Sequence, residues 1–212
     1  MKNSRKWGND SGEVIYVSPA TTDLLREPKL TVESIDNHVY FYSEVDSDRC
    51  LALMRAIKDK ESFLTSEHIG RGLPADFPMT PVWLHVNSGG GSIFDALAVA
   101  DQLKVIGIPV YSIVEGFCAS AATIISMSCA KRYIMPSAYF MVHQFSSFVW
   151  GKYEEFKDEM KLQDMLMVDM VEFYSKNSKM PADEVREMLK RDSWFNAEEA
   201  IEKGFVDSLY VR

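Results

Sequence analysis

"PVWLHVNSGGGSIFDALAVADQLKVIGIPVYSIVEG", residues 81–116, decides the fold class of this chain. Its first eight residues, 81–88, form an apolar run of the kind that fills a strand buried on both faces. "GGGS" (89–92) ends that run. "IFDALAVADQLKVIG" then places Ile93, Leu97 and Leu103 on one helical face. "IPVYSIVEG" (108–116) is a second strand of the buried type. Strand, turn, helix and strand in this order predict an α/β fold with a mainly parallel sheet.

The same alternation extends outward. "HVYFYSEV" (38–45) reads as a strand by its aromatic and β-branched content. "DSDRCLALMRAIKDKESFL" follows as a helix with Cys50, Leu53, Met54 and Ile57 at helical spacing, capped by Asp46 or Ser47. Residues 65–80, with two Gly and two Pro, read as a loop. Downstream, a helix is expected to about Ser128, then strand-like pieces around Pro136. A long helical pattern runs from Gly151 to about Asn177, with Phe156, Met160, Met167, Met170, Val171 and Tyr174 at three- and four-residue steps. Two shorter helices follow, the first with Pro181 in its opening turn and the second between Asn196 and Gly204. "FVDSLY" closes as a strand. Residues 1–34 read as an N-terminal arm, with a short strand in "GEVIYVSP" and a helical turn in "TTDLLREP" ended by Pro28; residues 35–212 read as a single domain.

Composition narrows the function. The chain has 212 residues, 47% of them hydrophobic, and a net charge of −8, a profile that disfavours nucleic-acid binding. Cys50, Cys118 and Cys129 are odd in number and lack CxxC spacing, and His38, His68, His85 and His143 form no ligand pattern with them. Neither a disulfide framework nor a metal site is expected, and a reducing, cytoplasmic location is. The polar first residues lack a signal-peptide core, and 117–130 is too short and polar to span a bilayer.

In such sheets, reactive groups belong at strand-to-helix turns. "NSGGGS" and "EGFCAS" are two of these. Gly89, Gly90 and Gly91 serve either as a plain turn or as a loop whose N–H groups approach a ligand closely. No Gly-Lys-Ser/Thr and no GxGxxG follows, which disfavours phosphate and leaves an oxyanion hole, a device that needs only backbone donors. Ser120 is a helix cap or a nucleophile beside the positive helix end, where the Ala121 N–H could meet an oxyanion. A nucleophilic serine needs a base. His143, in "FMVHQF", is either that base or a satisfied strand residue, and Asp192, in "LKRDSWF", is either the third member or another cap.

Taken together, these residues resemble the proteolytic subunit of the caseinolytic protease, the ClpP family. The family's Asn-Ser-Pro-Gly-Gly reads here "NSGGG", its Gly-x-Ala-Ala-Ser reads "GFCAS", and its Met-Ile-His-Gln-Pro reads "MVHQF". Its Arg-Asp segment before Ala-x-Glu-Ala reads "KRDSWFNAEEAIEKGFVDSL". Order and spacing agree, with 49 positions from His143 to Asp192; the 23 from Ser120 to His143 are about two fewer than usual. The resemblance implies a ClpP/crotonase-like α/β fold with a protruding handle helix over 151–177. It makes Ser120 the nucleophile, His143 the base and Asp192 its orienter, with Gly91 and Ala121 supplying the oxyanion N–H groups. Gly90, Phe145, Ser146 and Ser147 would bind extended substrate, the last three within "FSSFVWG", which is bulkier than the family's glycine-rich segment.

The resemblance further implies homo-oligomeric heptameric rings stacked as a tetradecamer, unfolded polypeptide substrates and a hexameric AAA+ unfoldase partner. No cofactor is implied, ATP entering only through that partner, and neither nucleic acid nor membrane is involved. Departures include Phe145 for proline, Cys118 for alanine, Lys190 for an acidic residue, a longer 61–80 segment and an unmatched first 34 residues. Trp83 stands where the family often has an aromatic near the ATPase groove. The alternatives are a signal-peptide-peptidase-like Ser–Lys peptidase, which needs a catalytic lysine, a crotonase-type acyl-CoA enzyme, which needs no triad, and a non-catalytic ring subunit, which usually lacks a triad residue.

Overall fold

The computed structural model describes residues 6–8, 14–16, 32–146 and 150–211. The chain divides into two units, Met1–Leu30 and Thr31–Arg212. In the first, strands β1 (Lys6–Gly8) and β2 (Val14–Tyr16) form an antiparallel pair. The strand expected in "GEVIYVSP" is β2; the turn expected in "TTDLLREP" lies outside the described residues.

The second unit is an α/β layer structure with a mainly parallel sheet. Strand β3 (Val32–Ile35) pairs antiparallel with β4 (His38–Phe41). Then β4, β5 (Val82–Ser88), β6 (Val110–Ala119) and β7 (Lys131–Ile134) lie parallel in that order. Strand β6 serves two partners in succession. Tyr111–Val114 pair with β7, while Phe117–Ala119 pair with β8 (Tyr139–Val142). Strand β8 in turn pairs antiparallel with β9 (Ser193–Phe195), and β10 (Ser208–Leu209) extends β7. The central strands are buried on both faces, with Leu84, Val86, Ile113 and Val114 fully enclosed.

Helix α1 (Ser47–Gly70) starts at Asp46, whose side chain accepts from the Arg49 N–H at 2.9 Å. It runs well into the segment read as a loop. Leu64 prolongs the buried stripe of Cys50, Leu53 and Ile57, and the last turn carries an Arg71–Glu67 pair at 2.7 Å. Helix α2 (Ile93–Val105) buries Ala96, Val99, Ala100 and Leu103, with Ile93 and Leu97 only half-buried. Small residues let this helix lie close to the sheet, so its inner face is shifted from the expected one.

Helix α3 (Ala121–Met127) is buried throughout. Helix α4 (Tyr153–Asn177) buries Leu166, Met170, Val171 and Tyr174, whereas Phe156 and Met160 of the expected stripe are exposed. Its inner face is thus confined to the C-terminal half. Helix α5 (Ala182–Met188) begins after Pro181, which sits at the cap rather than in the first turn. Helix α6 (Ala197–Lys203) has a complete Asn196/Glu199 capping box and ends on left-handed Gly204. Among the described residues, no helix is long and apolar enough to cross a membrane.

Candidate active site

The site lies where β5, β6 and β8 end. Ser120 follows the last residue of β6 and has φ 55° and ψ −130°, an uncommon backbone conformation for a residue with a side chain. The neighbours hold it there. Its N–H donates to the Met141 carbonyl at 2.9 Å, and its carbonyl accepts from the Thr123 N–H at 3.0 Å and the Thr123 hydroxyl at 2.6 Å. The same hydroxyl lies 2.6 Å from Tyr174 Oη on α4. Ser120 stands at the N-cap of α3 but makes no side-chain cap bond. Its Oγ lies instead 2.8 Å from His143 Nε2, so the hydroxyl points away from the helix it precedes.

Sheet register brings the next two residues together. In the antiparallel pair β8/β9, Val142 faces Ser193. One step beyond, His143 meets Asp192, with Nδ1 and Oδ1 3.1 Å apart. Just downstream, the Gln144 N–H donates to the Leu189 carbonyl at 2.7 Å and fixes the segment leaving His143. His143 is largely enclosed, its side chain 25% exposed, whereas that of Asp192 is 71% exposed.

The glycines of "NSGGGS" serve close approach. A Cβ on Gly90 would lie 2.7 Å from both the Ala119 carbonyl oxygen and Ser120 Cβ, and its φ is +90°. Gly90, the first of the substrate-contact candidates, has its own polar groups engaged inside the fold. Its N–H donates to Ser88 Oγ at 3.2 Å, and its carbonyl accepts from the Val45 N–H at 2.8 Å. It acts as the surface on which the serine turn rests. Gly91 bridges to Val45 through the flanking Gly90 carbonyl and Ser92 N–H, so its own N–H stays out of that bridge. A Cβ there would run into the Val45 carbonyl.

A cavity of about 440 Å³ opens beside these groups. Gly91, Ser120, Ala121 and His143 line it, together with Phe145 and Ser146. Ser147 lies outside the described residues. Ile124, Met141, Leu166 and Met170 form apolar walls, and Leu162, Glu159 and Gln163 continue the lining along α4. Of these α4 residues only Met170 belongs to the stripe expected from the sequence. Glu159, Leu162, Gln163 and Leu166 share its face at helical spacing, but two of them are polar, so apolar periodicity does not single that face out.

Cys118, two residues before Ser120, is fully buried, and burial pushes its thiol far above the ordinary value. It stays protonated and serves packing. Cys129 is likewise pushed up to about 12 by burial. Among the described residues, no cluster of His, Cys, Asp or Glu has the arrangement to hold a metal ion.

The family model for Clp protease matches residues 34–212. Among curated relatives, an ATP-dependent Clp protease proteolytic subunit from Streptococcus thermophilus is 30% identical over 174 residues, covering 79% of this chain and 87% of the relative. Proteins of the same name from Streptococcus salivarius and Streptococcus pneumoniae are 29% and 28% identical, with the same coverage. A match across most of the chain, on a mainly parallel α/β sheet, leads to one assignment: the chain belongs to the Clp protease family and is a serine-type peptidase.

Proposed function

We propose that this chain is the proteolytic subunit of an ATP-dependent Clp-type protease and cleaves peptide bonds through Ser120, His143 and Asp192. The observation that carries this reading is the continuous contact line from Ser120 Oγ to His143 Nε2 at 2.8 Å and from His143 Nδ1 to Asp192 Oδ1 at 3.1 Å. Asp192 accepts a hydrogen bond from Nδ1–H, which leaves Nε2 free to act as base. As Ser120 Oγ bonds to the scissile carbonyl carbon, its proton passes to Nε2. The negative charge that develops on the carbonyl oxygen is met by the N–H groups of Gly91 and Ala121. The C–N bond then breaks, and the leaving amine takes the proton from Nε2. A water molecule attacks the acyl ester, gives its proton to the same nitrogen and frees the acid product as Ser120 recovers its hydrogen.

Phe145, Ser146 and Ser147 would flank an extended substrate backbone. The rest of the reading is architectural. Heptameric rings stack as a tetradecamer around a closed chamber, the first half of α4 interlocks them, and a hexameric AAA+ unfoldase delivers unfolded polypeptide. The exposed apolar residues Tyr153, Phe156, Met160 and Met165 support burial of that half of α4 on assembly. Hydrolysis by this route needs no cofactor on the chain itself. A cytoplasmic location is supported by three free cysteines, all buried. Among the described residues lining the cavity there is no lysine, so the Ser–Lys alternative lacks its base.

The test treats wild-type, Ser120→Ala and His143→Ala proteins with a fluorophosphonate probe and determines particle mass on the same samples. Labelling of the wild type alone, on a particle of ring-assembly mass, is expected. Labelling that survives Ser120→Ala would end the mechanism, and a monomeric mass would end the chamber.

A further inference from the structure

The cavity beside Ser120 is apolar along its walls but not at its outer end. Ile124, Met141, Leu166 and Met170 line the part nearer the core. Moving outward along α4, the same face presents Leu162, then Gln163 and Glu159. Residues 159, 162, 163, 166 and 170 stand at helical spacing on one face, so the lining passes from hydrocarbon to amide to carboxylate along a single rod. Gln163 and Glu159 are one turn apart, with Nε2 donating to Oε1 at 3.4 Å. Both side chains are half-buried.

Glu159 also supplies the one carboxylate among the described residues lining the cavity of the single chain. Among the described residues no cation is ion-paired with it. The nearby Lys157 is committed to Glu154 at 3.1 Å. A substrate side chain that fills the apolar walls and ends in hydrocarbon would press against this carboxylate and strip some of its water without replacing it. A side chain with an apolar stem and a cationic tip satisfies both parts at once: the stem covers the walls, and the tip donates charge-assisted hydrogen bonds to Glu159. An acidic side chain would meet like charge there, in a protein whose net charge is already −8.

We propose that Glu159, assisted by Gln163, sets the cleavage preference of this enzyme, selecting lysine or arginine at the residue whose carbonyl Ser120 attacks or at its immediate neighbour. The inference rests on the catalytic reading given above and assigns a substrate class to that site. Glu159 is a specificity residue and takes no part in bond breaking. Because its carboxylate is half-exposed, the discrimination is moderate, about tenfold in kcat/KM between a cationic side chain and a neutral one of the same shape.

The test uses internally quenched peptides that differ only at that position, carrying lysine, Nε-acetyl-lysine, leucine or glutamate, with the assembled wild-type protein, Glu159→Gln and Glu159→Lys. Lysine should exceed acetyl-lysine about tenfold in the wild type, and the ratio should shrink with added salt. Glu159→Gln should bring that ratio near one, and Glu159→Lys should favour glutamate. Equal rates for lysine and acetyl-lysine in a wild type that cleaves the leucine peptide would overturn the inference and leave the catalytic reading intact. A lysine preference that persists in Glu159→Gln would overturn it too. Loss of all turnover together with absence of fluorophosphonate labelling at Ser120 would instead sink the catalytic reading itself, and the inference with it.

Discussion

Two histidine–carboxylate pairs lie on the same sheet and lead to different places. His143 touches Asp192 on one side and Ser120 on the other. His85, on β5, lies 2.8 Å from Glu115 through Nδ1 and 2.8 Å from His38 through Nε2, and Glu115 accepts from the Tyr42 hydroxyl. The second chain is the more enclosed at its carboxylate, with the Glu115 side chain 18% exposed against 71% for Asp192. His85 is also stacked on Tyr40, with ring centroids 4.3 Å apart. By hydrogen bonding and burial alone it is the better-built relay. What it lacks is the turn. Its hydroxyl is the Tyr42 phenol, which bonds Glu115 and not the imidazole, and the second nitrogen of His85 faces His38 instead of a hydroxyl. Ser120 sits on a turn with positive φ packed against Gly90 and lines a cavity. The two pairs differ less in their own hydrogen bonds than in the backbone they face.

Exchanging each histidine gives the largest contrast. His143→Ala should lower kcat by about 10⁴-fold or more while the fold persists. His85→Ala should keep kcat within a few-fold and cost about 1–3 kcal/mol of stability, since Glu115 and His38 lose a shared partner. Peptide turnover and thermal unfolding on both variants decide it. An inactive His85→Ala with unchanged unfolding would break the distinction.

The turn itself comes next. Gly90→Ala puts a Cβ 2.7 Å from the Ala119 carbonyl oxygen and Ser120 Cβ, at a φ of +90°. Backbone must shift, and Ser120 shifts with it. A loss of about 10²-fold in the rate of fluorophosphonate labelling is expected, with a stability cost of about 1–3 kcal/mol. Unchanged labelling would show that the precise seat of the turn matters less than its hydrogen bonds.

The two carboxylates give a smaller difference. Water around exposed Asp192 screens its hold on the imidazole, so Asp192→Asn should cost roughly 10–10²-fold in kcat, less than the ~10⁴-fold known for a buried aspartate in this role. Glu115→Gln should leave kcat within a few-fold and lower the unfolding temperature. A loss of 10⁴-fold in Asp192→Asn would mean that assembly or substrate buries the carboxylate during the reaction.

Part of this was legible in the sequence. The βαβ alternation over 81–116 shows because buried strands and a half-buried helix impose different apolar periods. Candidate residues were nameable, but their meeting was not. His143 and Asp192 face each other because β8 and β9 run antiparallel in a register that no local pattern encodes. The cap reading of Ser120 could not be settled from residue type, because the deciding quantity is a backbone angle. On α4, the apolar residues Phe156 and Met160 fit burial either in the core or against a partner helix; they are exposed in the single chain, and the buried face begins at Leu166. Burial there depends on what the helix meets, and periodicity reports only that one side is apolar. The helix continuing to Gly70 was hidden because its final turns are polar and depend on Leu64 and the Arg71–Glu67 pair.

Each chain of hydrogen bonds also ends near a tyrosine, and here the expected effect is smallest. Tyr42 is half-exposed beside Glu115, whereas Tyr174 is fully buried, its hydroxyl against Thr123, which in turn holds the Ser120 carbonyl. Burial is the main cause that raises the Tyr174 phenol above its ordinary 10.0, with the Thr123 contact opposing it. The native state therefore requires the neutral phenol, while the unfolded chain releases the proton above pH about 10. Stability from this group is complete below pH 10 and drains away as pH rises toward the higher native value. Tyr174→Phe should cost about 1 kcal/mol near neutrality through the lost hydrogen bond. It should also flatten the decline in unfolding free energy above pH 10, measured by denaturant titration across that range. An alkaline slope equal to the wild type's would assign the titration to other groups and leave Tyr174 as a packing residue behind the serine turn.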